Sequence, residues 1–188
     1  MIIDETLAAP VREWVLKKEN RDKFFVEPGM GTINVCGLPH SETYDPNRYG
    51  AKFPYVEMFK IYQSILKDVG LPKTQELDKE FGALISYSAA GHKVQPHSDP
   101  NPPGMIHTRF NVLINKPDIG GEAIINEEVI DTKENEVWIC PAGKYTHSSV
   151  LIEGDKPRIL LSYGVYLRPS QLEKILKEKN ENINKENK

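Results

Sequence analysis

From residue 81 onward the chain is built of short apolar stretches separated by turn residues, and this limits its fold more than any other feature. "FGALISYSA", "HTRFNVLIN", "GEAIINEEVID", "NEVWICPAG", "HSSVLIE" and "RILLSYGVYL" are rich in Ile, Val, Phe and Tyr. Branched and aromatic side chains suit a pleated, half-buried surface, while the Gly, Pro, Asn and Asp between them reverse the chain. Several such strands at close spacing predict a β-sandwich or barrel, and a double-sheet jelly roll fits their number.

The first half reads differently. "PYVEMFKIYQSILKDVG" repeats apolar residues at helical spacing, opens after Pro54 and closes on Gly70. "AAPVREWVLKKEN" is a weaker helix candidate, and "PSQLEKILKEKN" spaces Leu172, Ile175 and Leu176 for a short amphipathic helix. The final "KEKNENINKENK" has little to bury and reads as a frayed tail. The expected organisation is one domain over 1–170, with helical support over about 1–80 and a β core over about 81–168, followed by a short helix and tail over 171–188. The fold class expected is mainly β with flanking helices.

Charge and composition narrow the partners. A net charge of -3 and a pI near 6.0 supply no basic field for nucleic acid or anionic lipid. No apolar run approaches a membrane span, and the opening residues lack the order of a signal peptide. Cys36 and Cys140 give neither a disulfide framework nor a cysteine-based metal spacing, so a reducing cytoplasm is the expected location. The oligomeric state is not legible.

One constellation carries chemistry. "QPHSDPNPPG" places His97 and Asp99 two residues apart, and fifty residues later "KYTHSSV" places His147 at the start of a β-branched run. Arg158 opens the last strand after the turn "EGDKP". Residues two apart on a strand project the same way, so His97 and Asp99 form one group, and Arg158, Leu160 and Ser162 share a face. Two neutral imidazoles and one carboxylate hold Fe(II) on one side and leave positions open for a bidentate 2-oxo acid and dioxygen. An arginine among apolar neighbours needs a partner, and a small dicarboxylate would supply one. The bland alternatives stand beside this: Asp99 before "PNPPG" is a common turn initiator, His147 suits a core histidine, and Arg158 suits a solvated strand end.

"HSD…THSSV…PRILLS" resembles the Fe(II)/2-oxoglutarate-dependent dioxygenases over residues 82–168. The resemblance implies a double-stranded β-helix of cupin-like form, with His97, Asp99 and His147 binding iron. It also implies Arg158 pairing with the 5-carboxylate of 2-oxoglutarate, Tyr87 as a second contact, and Ser162 as a further one, although family members tend to carry Arg-x-Ser. Dioxygen is the other co-substrate, and succinate and CO2 are the products. "INKPDIGGEA" and "CPAGKYTHSSV" resemble the family's double-glycine turn and the loop into its distal histidine. Prolyl-hydroxylase-like members have a second tyrosine on the strand that here reads "HTRFNVLIN". Arg109 and Asn111 on that strand resemble instead the Arg-x-His of the aspartyl/asparaginyl hydroxylases, where those positions face substrate or co-substrate. Halogenases of the superfamily lack the carboxylate ligand, and Asp99 is present.

The resemblance implies hydroxylation of an unactivated C–H bond in a prolyl, aspartyl or asparaginyl side chain of a protein or peptide. Alternatives are a hydroxylase of a free amino acid or other small molecule, and a non-catalytic cupin-type module that holds a metal or ligand. A nucleic-acid demethylase is a third, disfavoured by the acidic balance. His92 and His107 fall outside the pattern and read as loop or pocket-rim residues. Cys140 reads as a buried small hydrophobe, and Trp138 as core. The loops 37–54 and 99–107 are candidate lids or substrate-binding rims.

Overall fold

A computed structural model of the chain describes residues 1–22, 30–35, 45, 47–50, 52–80 and 82–186. In chain order the elements are α1 (Glu5–Leu16), α2 (Lys18–Arg21), β1 (Met30–Val35), α3 (Tyr55–Asp68), β2 (Ala83–Ser88) and β3 (Ile106–Asn115). There follow β4 (Ala123–Ile125), β5 (Glu128–Ile130), β6 (Val137–Cys140), β7 (His147–Ser149), β8 (Arg158–Leu167) and α4 (Pro169–Glu186). The strands form an antiparallel five-stranded sheet in the order β1-β2-β8-β3-β6 and a three-stranded sheet in the order β5-β4-β7.

Strand parity divides the larger sheet into two unlike faces. Ile33, Ala83, Ile85, Phe110, Val112, Ile114, Ile159, Leu161 and Tyr163 point to one side, and all are buried. They form a single core with α1, α3 and α4 through Val11, Trp14, Met58, Ile61, Ile65, Leu172 and Ile175. Tyr163 closes this core: its hydroxyl donates to the Met58 carbonyl at 2.6 Å and its ring stacks on Tyr62. Leu160, Leu113 and Trp138 point to the other side, where they meet Ala123, Ile125 and Ile130 of the smaller sheet. The helices therefore cover the back of the larger sheet, and its front faces the smaller one. This is the expected mainly β, double-stranded β-helix architecture.

Several local readings need amending. "GEAIINEEVID" is a hairpin of two short strands, because Asn126 and Glu127 both take positive φ and make a two-residue turn. β1 has little strand signal in sequence, because it opens on Met-Gly and alternates only at Ile33 and Val35. α4 runs on to Glu186, taking in most of the stretch read as a frayed tail. Most of the loop over 37–54 lies outside the described residues, so a role as a lid falls outside them too. The loop over 99–107 is pinned, since Asn101 donates to Gly143 O at 2.6 Å and accepts from His107 N at 2.9 Å. No described helix is long and apolar enough to cross a membrane.

Glu134 ties α1 to the end of β3. Its carboxylate accepts from Lys116 N at 2.9 Å and Lys156 Nζ at 3.1 Å, and Arg12 Nη2 lies 3.3 Å away. Arg12 in turn donates through Nε to Ile114 O at 2.7 Å. Partial burial would raise the Glu134 pKa, but the Lys116 amide, Lys156 and Arg12 outweigh it and lower it from 4.5. A depressed folded value means the contribution is present above the unfolded pKa and fades as pH falls through the folded one. Glu134→Gln is expected to cost about 1 kcal/mol at pH 7, discounted for its partial exposure, or about 2–4 °C in Tm. Thermal melts at pH 7 and pH 3 should show that difference closing in acid; an equal gap at both would exclude a charge-dependent role.

Candidate metal centre

His97 and His147 come from segments far apart in sequence and meet as bridge partners. His147 N donates to His97 O at 2.8 Å, and His97 N donates to His147 O at 3.1 Å. His97 is not part of a strand proper, so it shares a face with Asp99 through this single bridge rather than a strand end. Asp99 is fixed by its own amide, which donates to Ala142 O at 2.9 Å. The two imidazole rings lie 4.1 Å apart between centroids. One ligand atom from each of His97, Asp99 and His147 lies within 4.8 Å of the others, so this group could hold a metal ion.

The hydrogen bonds set which atoms face the common point. His97 Nδ1 lies 2.8 Å from Gln95 O, and His147 Nδ1 lies 3.4 Å from Tyr145 O. A carbonyl only accepts, so Nδ1 carries the proton on each ring and the Nε2 lone pair is left for a metal. Both Nε2 atoms face Asp99 Oδ1, at 3.6 Å and 3.9 Å. Burial, and then the neighbouring His97, push the His147 pKa down, which keeps its ring neutral and able to ligate. Asp99 Oδ2 is engaged elsewhere, by His107 Nδ1 at 2.9 Å and Arg109 Nε at 3.1 Å. Burial would raise the Asp99 pKa, but those two partners hold it well below the usual carboxylate range.

A cleft of about 360 Å³ opens between the sheets beside these residues. Arg158, Ser162, Arg109 and Asn111 line it from the larger sheet, and Ile124, Ile125 and Ser148 from the smaller. Arg158 is buried, and among the described residues its Nε has no hydrogen-bond partner. Burial pushes its pKa down to about 10, against the charge of Glu122. Gly121 makes room for its stem: φ is +79°, and a Cβ there would come within 2.7 Å of Pro117 Cγ and 3.2 Å of Arg158 Cδ. Of the two glycines in "DIGGE", Gly121 thus makes space for the Arg158 side chain, while a Cβ at Gly120 would meet the Leu151 carbonyl instead.

The structure departs from the sequence expectations at Tyr87 and His107. Tyr87 does not face the cleft: β2 presents Leu84 and Ser86 there, while Tyr87, opposite Ile159, packs against the helix-covered core with Arg21 over its ring. Arg109 lines the cleft, with its Nε donating to Asp99 and its Nη1 to Ser162 Oγ at 3.2 Å. His107 is no rim residue. It is buried with 1% exposure, between Asp99 and the equally buried Asp78. Parity could have placed it, since 107, 109 and 111 share a face of β3; nothing in "QELDKEF" marks Asp78. Cys140 and Trp138 are buried as expected and also border the cleft, and His92 lies partly buried in its loop.

The fold and the cluster together define a double-stranded β-helix protein with two histidines and a carboxylate placed to hold a metal ion. No protein-family model matches the sequence, and no curated protein matches it. The fold is similar to a prolyl-4-hydroxylase of Pseudomonas putida, at 13% identity over 88% of each chain with a TM-score of 0.57. More distant likenesses are KdgF from Halomonas sp. (17% identity, 43% of this chain and 66% of that one, TM-score 0.32) and a predicted oxalate decarboxylase from Thermotoga maritima (18%, 45% and 65%, TM-score 0.33). The chain spans about two thirds of the length of these last two. At such identities the likeness establishes the fold alone.

Proposed function

We propose that this chain is an Fe(II)- and 2-oxoglutarate-dependent dioxygenase that hydroxylates an amino-acid side chain of a protein or peptide, of prolyl or Asp/Asn type. The observation that carries the reading is Arg158. A buried guanidinium with an unpartnered Nε is costly, and it lines the same cleft as the candidate metal ligands. Bidentate pairing with a carboxylate would relieve that cost, and a ligand with one carboxylate for Arg158 and a chelating end for the metal suits the arrangement. The donor set itself, two neutral imidazoles and one carboxylate, is the one suited to non-haem Fe(II). Fe(II) bound there would supply dioxygen activation coupled to conversion of 2-oxoglutarate to succinate and CO2.

The chain's own residues have simpler tasks. His97, Asp99 and His147 would hold the ion, with Nε2, Oδ1 and Nε2 as donors. Arg158 would hold the far carboxylate of 2-oxoglutarate, and Ser162, on the same face of β8, would stand beside it. The apolar residues Ile124, Ile125 and Leu160 would limit water around the reacting centre. Asn111 would meet substrate or co-substrate at the cleft wall.

An anaerobic titration of metal-free protein with Fe(II) and 2-oxoglutarate tests the reading through the weak visible charge-transfer band of the chelate. Wild type is expected to give a saturable band, and His97→Ala, Asp99→Ala and Arg158→Ala to weaken or abolish it. No band in metallated wild type would sink the oxygenase reading. A bound metal without 2-oxoglutarate consumption would favour the binding-module alternative.

A further inference from the structure

The pair Asp78–His107 lies behind the candidate ligands and lines no part of their cleft. His107 is 1% exposed and Asp78 is 3% exposed. The imidazole stands between two carboxylates: Nδ1 is 2.9 Å from Asp99 Oδ2, and Nε2 is 3.2 Å from Asp78 Oδ2. Burying a carboxylate and an imidazole costs free energy, and a buried ion pair is weak evidence for stability. Such a pair therefore calls for another explanation.

The surroundings hold the pair rigidly. Asp78 N donates to Gly164 O at 2.8 Å, and Asp78 Oδ1 accepts from Glu80 N at 3.1 Å. His107 N donates to Asn101 Oδ1, its carbonyl accepts from Gly143 N at 2.9 Å, and its ring packs against Tyr166. β8 leaves a gap for both side chains: a Cβ on Gly164 would sit 1.8 Å from Asp78 Oδ2 and 2.8 Å from His107 Nε2. Any side chain at 164 would push the pair out of place.

The consequence falls on Asp99. With Oδ2 approached by both His107 and Arg109, only Oδ1 faces the Nε2 atoms of His97 and His147. A carboxylate that offered both oxygens would take one more position on the ion, and one fewer would remain for a bidentate 2-oxo acid and dioxygen. We propose that Asp78 and His107 are positioning residues: His107, anchored by Asp78, holds Asp99 so that it gives one oxygen to the metal. This rests on the reading that His97, Asp99 and His147 bind a divalent ion.

The test measures Mn(II) binding to the full chain from the loss of the free-ion EPR signal, alongside thermal melts. Wild type should take one Mn(II) per chain. Asp78→Asn, whose amide oxygen can still accept from His107 Nε2, should bind within about threefold of wild type. In that neutralised background, which leaves no ionised carboxylate buried alone, position 107 is then changed to Gln or Phe. Gln keeps a donor for Asp99; Phe keeps the ring packing but has no donor. The Phe variant should lose about 10–100-fold in affinity, the range typical of an outer partner of a metal ligand, with Gln falling between. If Phe binds as well as Gln or better, His107 acts only by packing and the proposal is overturned. Should the Phe variant not fold, Leu replaces it and the same order decides. Wild type that takes no Mn(II) removes the metal-centre reading itself, and the positioning role with it.

Discussion

Arg158→Met should melt higher than wild type when no ligand is present, and should no longer be stabilised by 2-oxoglutarate. The two halves of this result have one cause. The guanidinium is buried, its Nε has no hydrogen-bond partner among the described residues, and the fold carries the cost of removing that charge from water. Methionine fills a similar volume with no charge to desolvate. Replacing buried ionic groups by apolar ones of similar size is commonly neutral or stabilising by about 1–4 kcal/mol. The lower end applies here, because Arg158 borders a cleft that admits water. A gain of about 1–2 kcal/mol corresponds to roughly 2–8 °C in a chain of this size.

Ligand saturation should reverse the order. Wild type with Mn(II) and 2-oxoglutarate at about 100 times Kd gains about 2.7 kcal/mol by mass action. The Met variant, without the carboxylate partner, should gain only what the metal supplies. Differential scanning fluorimetry with and without 2-oxoglutarate measures both. A Met variant that melts lower without ligand would mean that Arg158 is already well satisfied in the fold. One that still responds to 2-oxoglutarate would mean that another group holds the carboxylate.

Asp99→Ala and His97→Ala should both abolish metal binding, yet differ sharply in stability. His97 is half exposed, and its contacts are the Gln95 carbonyl and a backbone bridge that alanine can also make. Its loss should move the melting temperature by no more than a degree or two in the metal-free protein. Asp99 is 13% exposed and its Oδ2 answers both His107 and Arg109. Removing it takes away the oxygen that His107 Nδ1 and Arg109 Nε share, and breaking a buried pair in this way costs about 3–5 kcal/mol. The expected fall is about 6–20 °C, read from melts in the presence of a chelator. Equal melting temperatures for the two variants would show that Asp99 has no structural part and that the contacts with His107 and Arg109 carry little energy.

The parts of the site that were legible in sequence are those fixed by short-range rules. His97 and Asp99 are two residues apart, His147 opens an apolar run, and Arg158 begins a strand whose alternation sends Ser162 the same way. None of these inferences needs knowledge of which strands pair. The side to which Tyr87 points is not legible in sequence: a strand has two faces, and its own residues do not say which is covered by helices when both carry buried side chains. Leu84 and Ser86 turned out to face the cleft. Arg109 lies on the cleft face that its parity predicts, and its pairing with Asp99 is not legible because it depends on how residues 99–107 fold back.

Asp78 lay beyond any local rule. It sits between α3 and β2 with no periodicity around it, and only the gap above Gly164 explains why a carboxylate can be there. β1 was hidden by its Met-Gly opening and its two apolar positions, and the hairpin of β4 and β5 by an Asn-Glu turn that lacks the usual glycine. The large helix α3 was legible nearly to the residue, since its apolar stripe and its stop at Gly70 are both local signals.

The reciprocal amide bonds between His97 and His147 make these two residues a single latch. The bridge fixes the two backbones against each other, and each ring is then held by its own Nδ1 contact, with Gln95 O for His97 and Tyr145 O for His147. The folded chain has thus already spent the ordering entropy of bringing the two imidazoles together, before any ion arrives. An ion entering such a site finds the two backbones that carry its nitrogen donors already joined, and its retention depends on that local bridge as well as on the two side chains.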